Sequence, residues 1–347
     1  MLGKSNLLAL KARSQTAMGQ ALNASNSEKI ITVIGGSGFV GRHLVRSLAR
    51  RGYRIRVACR RPDLAGHVQP LGSPGQIMPV QANVRFPASL AAACEGAYAV
   101  VNLAAVLYNA GGQSFDALHV FGAEASARAA KAAGATLYVQ MSALGAGTQS
   151  QSEYALSRTA GENRAKSVFP GTVIVRPSII FGPEDNFFNQ FANMARFAPA
   201  LPLIGGGKTL FQPVFVGDVA EAIATLIERG LADGKTYELG GPEKLSFKAI
   251  LEYILSVTQR QRLLVPLPWI ASKAMAAVMG LLPSPKLTLD QVETLRSDNV
   301  VSEAATQDHR TLEGLGIRAR SVSAIVPTYL YRYRKAGQFT DASGKPE

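Results

Sequence analysis

The stretch KIITVIGGSGFVGRHLVRSLARRG, residues 29–52, decides the fold class. Ile30 to Ile34 form a short β-branched run, the pattern of a strand buried on both faces. Gly35-Gly36-Ser37-Gly38-Phe39-Val40-Gly41 follows with G-x-x-G-x-x-G spacing, and then an amphipathic helix ending near Gly52. Leu44, Val45 and Leu48 fall on one side of that helix, and Arg42, Arg46 and Arg50 on the other. Between a buried strand and a helix each glycine has a physical task. Gly35 permits a tight turn, Gly38 lets backbone amides approach a pyrophosphate, and Gly41 lets the helix pack closely on the strand. The helix N-terminus, flanked by Ser37, Phe39 and Val40, then presents its partial positive charge to the phosphates.

Further along, YRIRVAC reads as the second strand and ends at Cys59-Arg60-Arg61-Pro62. A site that prefers NAD places an acid here for the ribose 2′-hydroxyl; this chain has two guanidiniums, which suit a 2′-phosphate. NADPH or NADP⁺ is therefore expected over NAD, the alternative being two more exposed arginines in an arginine-rich region. Strand-like runs recur at IMPVQ, AYAVVNLAA, TLYVQMSA and TVIVRPSIIFG, separated by the helical FPASLAAACEG, AEASARAAKAAG and SEYALSRTAGENRAK. Alternation of this kind predicts an α/β fold, a Rossmann-type doubly wound parallel sheet. Asn83-Val84 and Leu103-Ala104-Ala105 sit at strand ends, where adenine and ribose would lie. The expected organisation is a leader over 1–28, a nucleotide-binding domain over 29–185 with a return from about 210–240, a cap over 186–209 and 241–335, and a tail over 336–347.

Composition narrows the remaining classes. The chain has 347 residues, 47% of them apolar, enough for a sizeable core. Cys59 and Cys94 are the only cysteines, which argues against a disulfide scaffold, and the four histidines lack ligand spacing, which argues against a metal site. The formal net charge is +13, and from Lys29 to Arg61 there are nine basic residues and no acid. Phosphate groups, anionic lipid or an acidic partner protein would match that charge; no nucleic-acid reading element accompanies it. Residues 1–27 carry basic and serine residues without an acid and read as a disordered bacterial leader or a transit peptide. No run approaches the ~18 apolar residues of a spanning helix. Gly207-Lys208-Thr209 is not a P-loop, because position 202 is proline and a strand-like run follows.

Taken together, the glycine motif, NLAA, Ser142 after the fifth strand and Tyr154 four residues before a cation resemble the extended short-chain dehydrogenase/reductase superfamily. The resemblance implies that Tyr154 moves the proton and Ser142 orients a carbonyl, and it places Pro177 and Ile179 at the nicotinamide end. It also implies a lysine where this chain has Arg158, whose planar fork cannot reproduce a compact ammonium. Weak turnover or none is expected, with the cofactor pocket retained. A longer stretch, RPSIIFGPEDNFFNQFANMARFAPALPLIGGGKTLFQPVFVGDVAEAIA, with SALGA, NVR and YLYRYRKAG, resembles the NADPH-binding accessory subunits of respiratory complex I and their alphaproteobacterial relatives. That implies other complex I subunits as partners and a peripheral place on the cytoplasmic face of a bacterial inner membrane, or on the matrix side of the mitochondrial one. An active NADP(H)-dependent reductase or epimerase and an NADPH sensor are the alternatives. The apolar PWIASKAMAAVMGLLP and the aromatic-basic end at Tyr329–Lys335 are expected either to pack in the cap or to face a partner or membrane.

Overall fold

The computed structural model describes residues 26–147, 151–280 and 287–335; the expected leader (but for its last residues), the tail and the end of the apolar PWIASKAMAAVMGLLP run lie outside them. The strands in chain order are β1 (Ile30–Ile34), β2 (Arg54–Cys59), β3 (Ile77–Gln81), β4 (Ala99–Asn102), β5 (Leu137–Met141), β6 (Val173–Pro177), β7 (Ile180–Phe181), β8 (Ala200–Ile204), β9 (Leu210–Phe211), β10 (Val214–Phe215), β11 (Thr236–Leu239), β12 (Leu245–Ser246) and β13 (Leu263–Leu267). Seven form one parallel sheet in the order β11-β6-β5-β4-β1-β2-β3. The chain runs outward from β1 through β2 to β3, then returns to β4 on the other side of β1. That reversal opens a crevice at the carboxyl ends of β1 and β4.

Both faces of the sheet are covered, which is why its central strands read as nearly unbroken apolar runs. On one face, the helix Phe39–Arg50 buries Leu44, Val45 and Leu48 against the sheet, beside Val219, Ile223 and Leu226 of the helix Val216–Glu228. The two helices are also tied by Arg51, which bonds Glu221 and reaches Glu228 at 3.2 Å. On the other face, Ala123, Ala127 and Ala130 pack with Leu90, Cys94 and Tyr138. Small alanines let their helix, Gly122–Ala132, lie close to the sheet.

A second core stands over the carboxyl ends of the strands. Phe181, Phe188, Phe211 and Phe247 meet in an aromatic cluster with Ile250, Leu251 and Ile254. Three two-stranded pairs frame it: β7 with β10, β8 with β13, and β9 with β12. Within 241–335, Leu312 and Leu315 pack in the core of the main sheet instead, and the Glu238 N–H donates to the Arg310 carbonyl. The aromatic-basic end folds back: Tyr329 donates to Asp185 at 2.7 Å and Arg334 to the Val257 carbonyl at 2.9 Å. Among the described residues no helix is long and apolar enough to cross a membrane. The triple glycine before Lys208 is a tight turn leading into β9, as expected of a segment that is not a P-loop.

Candidate nucleotide site

The crevice at the switch point is a cleft of about 740 Å³ between the sheet and the cap. The glycine loop forms its floor. Gly35 takes a left-handed φ of +78° and its N–H bonds the Ala58 carbonyl at 2.8 Å, which turns the chain off β1. A Cβ on Gly41 would lie 2.5 Å from backbone atoms of Gly35 and Gly36, so packing alone already requires glycine at this cleft-lining position. Gly38 differs. Its backbone is extended, and a Cβ there would meet only the Gly35 carbonyl, at 3.2 Å. The fold thus opposes a β-carbon at 38 much less than at 41, and the space beside Gly38 is left open to the cleft.

Strand ends supply the walls, with Arg60 after β2, Asn83 and Val84 after β3, and Leu103 and Ala104 after β4. Ser142 follows β5, and Pro177 and Ile179 close and follow β6. Together with Ser37, Phe39, Val40, Tyr154 and Arg158, these expected site residues all line one cleft. Arg61 does not; its guanidinium turns back to Asp63, with contacts of 2.9 and 2.6 Å.

Tyr154 stands on the helix Glu153–Val168 with Arg158 one turn below. Arg158 is 5% exposed, and it donates to the Tyr154 hydroxyl and to the Met141 carbonyl, both at 3.2 Å. The phenol oxygen therefore accepts from a cation, and its own O–H has no acceptor among the described residues. Ser142 Oγ and Arg158 Nε are buried without a hydrogen-bond partner among the described residues. Orphaned polar atoms at this depth are costly unless something in the cleft satisfies them. They fit the hydroxyls and amide of a nicotinamide riboside, and the open face of Gly38 fits its diphosphate.

Two neighbours of Tyr154 were not legible as site residues. His119 stacks on Phe115, meets the Tyr154 ring edge-on at 5.5 Å, and has Nε2 accepting from the Val106 N–H. Nδ1 then carries the proton toward Ser157 Oγ at 2.9 Å. Burial first, then the Arg158 charge, pushes this imidazole down to about 2. Because its folded value lies below the unfolded one, its contribution is complete above pH ~6.5 and is lost as pH falls. Stability should therefore decline below ~6.5 by up to about 1.4 kcal/mol per pH unit, and His119→Gln should flatten that slope in urea unfolding. Equal slopes in the two proteins would remove His119 from this role.

The second neighbour is Asp290, on the cap helix Leu289–Thr294. Its carboxylate accepts from the N–H groups of Glu153 (2.6 Å) and Tyr154 (3.2 Å) and from the Ser152 hydroxyl (3.1 Å). A negative charge at this N-terminus also complements the helix dipole. The cap thereby pins the turn that carries the tyrosine.

Comparison with known proteins agrees with this architecture. The pattern described as NAD dependent epimerase/dehydratase family matches residues 31–240. The chain is 35% identical over 326 residues to "NADH dehydrogenase [ubiquinone] 1 alpha subcomplex subunit 9, mitochondrial" of Arabidopsis thaliana, covering 90% of this chain and 80% of that protein. It is 34% identical over 181 residues to a ceramide reductase of Caulobacter vibrioides, covering 52% and 56% respectively. In fold it resembles DesIV, a dTDP-glucose 4,6-dehydratase of Streptomyces venezuelae solved with NAD and TYD bound, with a TM-score of 0.63, 19% identity, and 88% and 96% of the two chains covered. The chain belongs to the NAD dependent epimerase/dehydratase family and, within it, to the group of complex I alpha subcomplex subunit 9 proteins.

Proposed function

We propose that the protein is an accessory subunit of respiratory complex I that binds NADPH and supports assembly and stability without catalysing the electron-transfer reaction. The observation that carries this reading is likeness to a complex I subunit over 90% of the chain, cap included, whereas the likeness to the reductase covers 52%. The retained cleft has a physical use without turnover. A ligand that binds only the folded state stabilises it by RT ln(1 + [L]/Kd), roughly 3 kcal/mol at a hundredfold excess over Kd. Here that ligand would brace the sheet against the cap.

Arg158 supports the non-catalytic part of the proposal. Proton transfer needs both hydrogen-bond reach and a tuned acid. The guanidinium lies against the Tyr154 ring, 5.1 Å from its centroid, and spends one N–H group on the Met141 carbonyl. A fork held this way cannot do what a mobile ammonium does for the nicotinamide ribose and the phenol together. With the related complex I subunits, the setting is the inner membrane; attachment there is peripheral, on the cytoplasmic face in a bacterium or the matrix side in a mitochondrion.

Purification from detergent-solubilised membranes tests the proposal directly. Complex I subunits should co-purify, and acid release should yield NADPH or NADP⁺. Recovery without any complex I subunit would defeat it. The tyrosine contact with Arg158 and the reductase relative favour a second reading, an active carbonyl reductase. Robust NADPH oxidation with ketone substrates that disappears in Tyr154→Phe would establish that one instead.

A further inference from the structure

A 2′-phosphate carries two negative charges and needs donors that no carboxylate already occupies. Arg61 fails this requirement. Its Nε and Nη2 both bond Asp63, and it lies outside the cleft. Its charge is matched by an acid two residues along the chain.

Arg60 and Arg85 meet it. They follow β2 and β3, neighbouring strands whose ends are paired at Cys59 and Gln81, and both line the cleft. Arg60 Nη1 donates to the Gln113 side-chain carbonyl at 2.8 Å, and Arg85 Nη1 donates to the Gly112 carbonyl at 3.0 Å. These acceptors are consecutive residues of one turn, closed by reciprocal backbone bonds between Ala110 and Gln113 at 3.0 Å. Both guanidiniums are therefore tethered to the same turn, whose Gln113 lines the cleft beside them. Neither has an ion-pair partner among the described residues, whereas Arg61 is paired with Asp63.

Glycine at 112 makes room for this arrangement, since a Cβ there would lie 2.6 Å from Arg85 Nη1. The strand end is fixed as well, with the Arg85 N–H donating to Asn83 Oδ1 at 3.1 Å. Two like charges held together against neutral carbonyls repel, and a dianion between them would turn that repulsion into attraction. The same crevice position, outside the end of the second strand, is where the adenosine ribose of a dinucleotide lies in folds of this class.

We propose that Arg60 and Arg85, not Arg60 and Arg61, are the residues that select a 2′-phosphorylated adenosine. Phosphate oxygens take the N–H groups that Gln113 and Gly112 accept, and the Ala110–Gln113 turn lies over the site as its outer wall. The proposal rests on the dinucleotide reading above and adds the residue that decides between NADPH and NADH.

The test is titration of the full-length protein with NADPH and with NADH, in wild type and in Arg85→Gln, Arg85→Lys and Arg61→Gln. Arg85→Gln should weaken NADPH at least tenfold and change NADH by less than about threefold. Arg85→Lys should recover part of the loss, and Arg61→Gln should alter neither ligand. A ligand-free melt matching wild type confirms that Arg85→Gln is folded. Competition by adenosine 2′,5′-bisphosphate but not by 5′-AMP would place the effect at the phosphate. Arg85→Gln with undiminished NADPH affinity, or with equal losses for both dinucleotides, overturns the assignment. Loss of NADPH selectivity in Arg61→Gln alone overturns it too, in favour of the tandem pair. If wild type binds neither dinucleotide, the cofactor proposal itself fails, a result distinct from all of these.

Discussion

Valine at Gly38 is expected to empty the protein of bound dinucleotide while leaving it folded. The two halves of that statement rest on different observations. Gly38 has φ −78° and ψ −174°, ordinary extended backbone for any L-residue, and a Cβ there meets only one atom, at 3.2 Å. The apo fold can therefore take the β-carbon with a shift of a few tenths of an ångström in one carbonyl. The diphosphate cannot share that space, because it needs the loop amides and the helix N-terminus within hydrogen-bond reach. Affinity should fall by at least about a hundredfold, roughly 3 kcal/mol. Gly41→Val is the contrasting control. Its Cβ would meet three backbone atoms at 2.5 Å, so the loop itself must move and the protein should be destabilised with or without ligand. Nucleotide released from purified protein and ligand-free melting report the two effects separately. Wild-type nucleotide content in Gly38→Val would mean that the diphosphate does not lie on this loop.

The glycine loop could be read in advance because all its information is local. A β-branched run, three spaced glycines and an amphipathic helix occupy a single stretch, residues 29–52, and the structure keeps every part of that order. Six strands of the doubly wound sheet were legible as short β-rich runs, most of them separated by helical stretches, whereas β11, Thr-Tyr-Glu-Leu, carries too few apolar residues to stand out. What was not legible depends on side-chain partners far apart in sequence or on a choice between equals. In sequence, Arg61 and Arg85 are both basic residues after a strand; only the bonds to Asp63 and to Gly112 separate them. Asp290 reaches the Tyr154 helix across 137 residues, and nothing in Leu-Thr-Leu-Asp announces it beyond a helix start. His119 reads as an isolated histidine because its neighbours, Tyr154, Ser157 and Arg158, come from a helix more than thirty residues later. The arginine-rich face was legible as charge but not as structure. Arg51 closes the contact between two helices, and Arg42 reaches Glu184 at 3.5 Å.

Glu162→Ala should cost about 3 kcal/mol or more of folding stability, a large share of the 5–15 kcal/mol typical of a domain. Glu162 is 4% exposed on the helix that carries Tyr154 and Arg158. Its carboxylate takes two bonds from Arg176 on β6, at 2.8 Å from Nε and 2.6 Å from Nη2. Such a bidentate pair fixes both position and angle. Removing the acid leaves a half-buried guanidinium with only Glu238 near it, at 3.9 Å, too far for a good bond. The penalty comes from that stranded charge more than from the lost attraction, and this gives the test its form. If the charge is the cause, Glu162→Ala combined with Arg176→Met should be less destabilised than Glu162→Ala alone, because both ions have gone and methionine fills the space. Because Arg176 precedes Pro177, which lines the cleft, the single variant should also bind dinucleotide more weakly than the double one. Urea unfolding of wild type, both single variants and the double variant decides the matter. A double variant as unstable as the sum of the singles would show that the helix and β6 are held by packing, and that the buried pair contributes little.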